Sequence, residues 1–166
     1  MDNNKETMLH EQHGRIQEQI SEIRTILIVM SGKGGVGKTT VAVNCAYALS
    51  CAHHTVGILD VDLHGPNTAK MLGIEQSRLT VQGGSIDPIT ITPNLRAVST
   101  ACIGNDPDDP FIWRGPMKSN IVRQLLSETR WGKLDYLIID SPPGTGDEIL
   151  SVCQLIKRVS GALIVT

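Results

Sequence analysis

The sequence predicts an α/β fold, a mainly parallel sheet with helices on both faces in three layers, on the strength of three observations. Strand-like apolar runs alternate with stretches of helical periodicity over residues 25–166, an order that builds parallel sheets from βαβ units. The apolar run at 26–30 passes directly into Gly32-Lys33-Gly34-Gly35-Val36-Gly37-Lys38-Thr39, and a helical pattern starts there. Two later runs, at 55–60 and 136–140, each end in an aspartate, Asp60 and Asp140.

Taken in order, residues 1–24 are polar, with Leu9, Ile16, Ile20 and Ile23 at helical spacing, and read as an N-terminal helical extension to a domain over 25–166. Strand 26–30, the glycine-rich loop, a helix from Thr39 to about Cys51 and strand 55–60 make one βαβ unit with a right-handed crossover. The pattern weakens over 66–110, where a short helix at 68–72, a β-rich stretch at 86–92, a strand at 95–100 and an acidic turn-rich insert at 104–110 are expected. A helix over 117–129 follows, with Ile121, Leu125 and Thr129 flanked by Val122 and Leu126 on one face. Strand 136–140, loop 141–146, helix 147–157 and a buried strand at 161–166 complete the reading. That last strand stops without a turn or cap, so the C-terminal part of the domain is expected to be missing.

Composition narrows the function. With 166 residues, 40% of them apolar, the chain can bury one substantial core. Fifteen Lys and Arg against seventeen Asp and Glu give a net charge of -2, no global field for nucleic acid or a membrane surface. The first apolar run is far below the roughly 18 residues of a membrane span, and no signal-peptide layout precedes it, so a cytoplasmic location is expected. Cys45, Cys51, Cys102 and Cys153 form no C-x-x-C; lying in helix or strand patterns, they are expected as reduced core residues rather than ligands.

The loop carries the chemistry. Its glycines allow backbone geometry closed to residues with a Cβ, so that consecutive amides can converge on a phosphate at a helix N-terminus. The strand, the G-x-x-x-x-G-K-T pattern over Gly32, Lys33, Gly34, Gly35, Val36, Gly37, Lys38 and Thr39, and the helix that follows read as a P-loop NTPase binding ATP, with Thr40 continuing the site. Lys38 would reach the β and γ phosphates and Thr39 would hold Mg²⁺. Asp140 is the expected Walker B carboxylate, and Gly144 in the loop after it can offer its N–H to a γ-phosphate. Asp60 is read as supporting the magnesium shell and Asp62 as orienting the attacking water, against the alternative of solvated loop carboxylates. Lys33 reads two ways, as a solvated surface lysine or as a cation reaching nucleotide on a facing subunit.

Lys33-Gly34-Gly35-Val36-Gly37-Lys38-Thr39-Thr40 resembles the deviant Walker A motif of the MinD and ParA group of dimeric ATPases, with Lys33 in the place of the signature lysine. Three further stretches, Asp60-Val61-Asp62-Leu63-His64-Gly65-Pro66-Asn67, Trp113-Arg114-Gly115-Pro116-Met117 and residues 135–147, resemble the Mrp family of iron-sulfur cluster carrier ATPases. The resemblance implies a homodimer that binds ATP at a composite interface, hydrolyses it slowly and delivers 4Fe-4S clusters from a scaffold to apo-proteins. Lys33, Lys38 and Asp62 are then the catalytic residues, and Thr39, Asp60 and Asp140 the magnesium residues. In the family the bridging cluster sits on a C-x-x-C in the C-terminal part, which this sequence does not contain, so no cluster ligand is assigned here. Arg114 either contacts a partner or fixes the turn before the helix. The alternative function is a MinD or ParA-type ATPase of spatial positioning, for which a basic amphipathic tail would be the mark.

Overall fold

The computed structural model describes residues 13–63, 65–103, 117–144 and 147–166. A helix over 13–21, α1, leads into β1 (Ile23–Ser31), α2 (Lys38–Cys51), β2 (Val56–Asp60) and α3 (Thr68–Met71). Then come the strands β3 (Thr80–Gln82), β4 (Ser85–Asp87), β5 (Ile89–Thr92) and β6 (Leu95–Ser99), and finally α4 (Met117–Glu128), β7 (Leu134–Asp140), α5 (Asp147–Ile156) and β8 (Gly161–Val165). The stretches 1–12, 104–116 and 145–146 lie outside the described residues, and with them Leu9, the acidic insert and the signature from Trp113 to Pro116.

Six strands form one sheet in the order β5-β6-β2-β7-β1-β8. All neighbours are parallel except the β5–β6 pair, so the sheet is mainly parallel, as the βαβ pattern predicts. The central strands are buried on both faces: Ile26, Ile28, Ile58, Leu59, Leu137, Ile138 and Ile139 are all in the core. That double burial is why these strands read as continuous apolar runs rather than alternating ones. The connections from β1 to β2 and from β2 to β6 run one way across the sheet; those from β6 to β7 and from β7 to β8 run the other way. With right-handed crossovers, that reversal sends α2 and α3 to one face and α4 and α5 to the other. It leaves a crevice beyond the C-terminal ends of β1 and β7, where doubly wound sheets place their ligands.

Small residues let α2 lie close on the sheet: Ala42, Val43, Ala46 and Ser50 are buried beneath it. Cys51, at its end, is exposed, which corrects its expected place in the core; it falls on the outer side of the helix with Tyr47. Cys102 is fully buried, and burial pushes its thiol above the usual value. On β2, Gly57 faces Trp131 and Leu134 so closely that an added Cβ would lie 2.7 Å from Leu134 Cδ1 and 2.9 Å from Trp131 Cε3. Gly57→Ala is therefore expected to destabilise the fold by about 1–3 kcal/mol through overpacking, measurable as a lower urea midpoint at unchanged slope.

The ends follow the sequence expectation for the N-terminal helix and differ from it at Ile23 and at the last strand. Ile16 and Ile20 of α1 are buried in the main core and Gln17 Nε2 donates to the Leu155 carbonyl at 3.0 Å, while Ile23 has already entered β1. The last strand forms as expected but is not buried: among the described residues β8 has β1 alone beside it, and Leu163 and Ile164 are 36% and 71% exposed. Between β2 and β6, a hairpin of β3 and β4 around Gly83 and Gly84, both at positive φ, replaces part of the weak region.

Candidate nucleotide site

Strand register brings the acidic residues into one row. Val29 pairs with Asp140, Asp140 with Asp60 and Asp60 with Ser99, so β7, β2 and β6 end side by side at the crevice, level with Val29 of β1. From this row β1 runs two residues further to Ser31 and turns into the glycine loop. Gly35 and Gly37 sit at φ 78° and 94°, in the left-handed region that disfavours any residue with a Cβ. Gly37 is the N-cap of the 14-residue α2, and with no side-chain cap and no acidic residue in the first turn the helix leaves its N-terminal amides and positive dipole end for an anion.

The loop borders a cavity of about 360 Å³ whose walls include Lys33, Lys38, Thr39 and Thr40 on one side and Asp62 and Asn67 on the other. At its base Lys38 Nζ donates to Asp140 Oδ1 at 2.6 Å, with the lysine 7% and the aspartate 1% exposed. The second oxygen of Asp140 accepts from Thr68 Oγ1 at 3.2 Å. Asp60 is fully buried beside them; its Oδ2 accepts from Ser99 Oγ at 3.0 Å and its Oδ1 from the Asp62 N–H at 3.0 Å. Burial, and next the negative charge of Asp140, push the Asp60 carboxyl up to about 7, outweighing the hydrogen bonds from Asp62 and Ser99 that favour its charged form. Thr39 and Asp62 among the cavity-lining residues, with Asp140 beneath, carry the hard oxygen donors that a magnesium ion would require.

A glycine cradle, a buried lysine and aspartates ending adjacent strands make a P-loop phosphate site, and comparison with known proteins gives its family. The ParA family of NUBPL iron-transfer P-loop NTPases matches residues 22–166. The chain belongs to that family. Its relatives include the iron-sulfur cluster carrier protein of Methanocaldococcus jannaschii, 46% identical over 159 residues that make up 96% of this chain and 55% of that protein. The iron-sulfur cluster carrier protein of Synechocystis is 45% identical, over 90% of this chain and 43% of its own. The chain thus spans about half the length of the curated relatives it matches. Among solved structures, a nucleotide-binding protein of Archaeoglobus fulgidus in complex with ADP is 34% identical with a TM-score of 0.79, covering 93% of this chain and 58% of that one. MinD of Pyrococcus horikoshii complexed with Mg-ADP is 26% identical at a TM-score of 0.54, over 87% of this chain and 58% of its own.

Within the chain the predicted residues do not all stand together. Lys33, Gly34, Gly35, Gly37, Lys38, Thr39, Thr40 and Asp62 line the cavity; Gly32 and Val36 belong to the loop without lining it. Lys33 is exposed at the rim. Asp60 and Asp140 lie below the cavity, and both oxygens of each accept hydrogen bonds from the chain's own donors. Gly144 differs from expectation: at φ 108° it turns the loop back toward β1, and its N–H donates to the Ser31 carbonyl at 2.8 Å, so it is not presented to a phosphate. Sequence reading missed Ser31, whose Oγ donates to the Lys33 carbonyl at 2.9 Å, and also Ser99 and Thr68, the hydrogen-bond partners of the two buried aspartates. Ser99 and Thr68 act through contacts 39 and 72 residues away in the chain, which no local pattern marks, while Ser31 acts locally on the loop backbone without a pattern of its own. Among the described residues, no group of three or more His, Cys, Asp or Glu is gathered to hold a metal ion. Nor is any of their helices long and apolar enough to cross a membrane.

Proposed function

We propose that this chain is the nucleotide-binding part of an ATP-hydrolysing iron-sulfur cluster carrier that passes 4Fe-4S clusters to apo-proteins, acting in the cytoplasm as a homodimer. The observation that carries the reading is the buried Lys38–Asp140 pair under an uncapped glycine loop, in a chain of the iron-transfer family. The loop amides and Lys38 hold the phosphates, and Lys38 leaves Asp140 to do so. Thr39 and Asp140, with Asp60 behind them, hold Mg²⁺, which when bound neutralises phosphate charge. Asp62 orients the water that attacks the γ-phosphate. Hydrolysis is slow in the isolated chain because its own loop leaves Lys33 at the rim; the second subunit's copy adds the missing cation across the interface.

The cluster is the cargo rather than a resident group of this chain, whose cysteines are scattered over α2, the turn after β6 and α5. Anaerobic loading with ferrous iron and sulfide, followed by iron count, absorbance and transfer to an apo-acceptor, tests the carrier reading on the protein that contains this chain. A protein that binds ATP tightly yet neither holds nor delivers iron would move the assignment to the positioning class. Lys33→Ala is expected to lose ATP-dependent dimerisation and at least about tenfold in kcat, with ATP binding by the monomer changed less than about threefold. Light scattering and steady-state hydrolysis check it, and a variant that dimerises and turns over like the parent would refute the role across the interface.

A further inference from the structure

Thr68 belongs to none of the phosphate, magnesium or water roles above, yet it touches the residue on which they converge. It is the first residue of α3 and fully buried. A hydroxyl removed from water needs an acceptor, and the one it uses is Asp140 Oδ2, 72 residues further along the chain. The other oxygen of Asp140 is held by Lys38. α3 is in turn tied to the cavity, because Asn67 and Met71 at its two ends line it. The turn that leads into it is closed by the Gly65 N–H donating to Asp62 Oδ1 at 3.1 Å and by Asn67 Nδ2 donating to the Gly65 carbonyl at 3.0 Å.

We propose that Thr68 is a positioning residue, which grips one oxygen of Asp140 so that the other stays turned toward Lys38 and the cavity, and so couples α3 to magnesium-dependent nucleotide binding. The inference rests on the ATPase reading and deepens it. When Lys38 moves to a phosphate, Thr68 is the donor left on the carboxylate. Without it, Asp140 would keep its charge and lose its orientation. Thr68 does not line the cavity, so binding without metal does not depend on it.

The test is ADP binding by calorimetry, in EDTA and across a magnesium titration, on the parent chain, Thr68→Val and Thr68→Ser. Valine keeps the branched shape and deletes the hydroxyl; serine keeps the hydroxyl and deletes the methyl. A hydrogen bond to a charged group is worth about tenfold or more in an equilibrium constant. Thr68→Val is therefore expected to raise the magnesium concentration for half-maximal tightening of ADP by about tenfold, with metal-free affinity within about twofold of the parent. Thr68→Ser is expected to restore the magnesium response. An unchanged magnesium response in Thr68→Val, or a serine variant impaired as much as the valine one, would overturn the inference and leave Thr68 a packing residue. A parent chain that binds no ADP at all would instead remove the ATPase reading, and the positioning role with it.

Discussion

Replacing Lys38 by methionine is expected to abolish nucleotide binding and also to cost the fold about 3–5 kcal/mol at neutral pH. The second effect follows from burial. Asp140 is 1% exposed and, among the described residues, has the Lys38 ammonium on one oxygen and the Thr68 hydroxyl on the other. Methionine fills the space of the lysine stem but leaves the carboxylate uncompensated, and breaking a buried pair from one side costs far more than replacing both partners. Asp140→Asn in the same background is expected to recover most of the loss. Urea denaturation of the parent, the single variant and the double variant measures this directly. A Lys38→Met chain as stable as the parent would mean that the pair is solvated rather than buried.

The second large effect is a loss of stability as pH rises, with Asp60 as its source. Its folded-state value of about 7 stands above the ordinary 3.8. The folded chain therefore holds this proton more tightly than the unfolded chain does. The sign is that of a raised group: the contribution is full below about pH 4 and is lost as pH climbs through about 7. Three pH units correspond to roughly 4 kcal/mol. Asp60→Asn stays neutral throughout, and its amide can still accept from the Asp62 N–H. Urea midpoints between pH 5 and 8 are expected to fall for the parent and to stay nearly level for Asp60→Asn. Parallel curves would place the charge elsewhere.

These two effects also mark where sequence reading stops. The loop, Lys38 and the strand-terminal Asp140 were legible because a phosphate site needs glycine at fixed positions and because strands buried on both faces read as unbroken apolar runs. The parallel sheet followed from the same runs. What the two aspartates do in the folded chain was not legible: whether Asp60 is paired, solvated or protonated depends on Ser99 facing it from β6 and Asp140 from β7. Thr68 was hidden for the same reason, since its partner is set by where α3 lands. The Gly144 amide was misjudged because a loop after a strand can turn either to the ligand or, as here, back to its neighbour strand. The exposure of β8 and Cys51 was beyond reach as well. Apolar composition predicts strand or helix, whereas burial depends on which elements stand alongside.

The glycine loop and Lys38 together form the phosphate site on which nucleotide binding depends. Titration calorimetry of Mg-ADP into the chain, beside Lys38→Met, tests it. One ADP bound per chain, with binding abolished in the variant, is the predicted result; no binding by the parent, or equal binding by both, would contradict it.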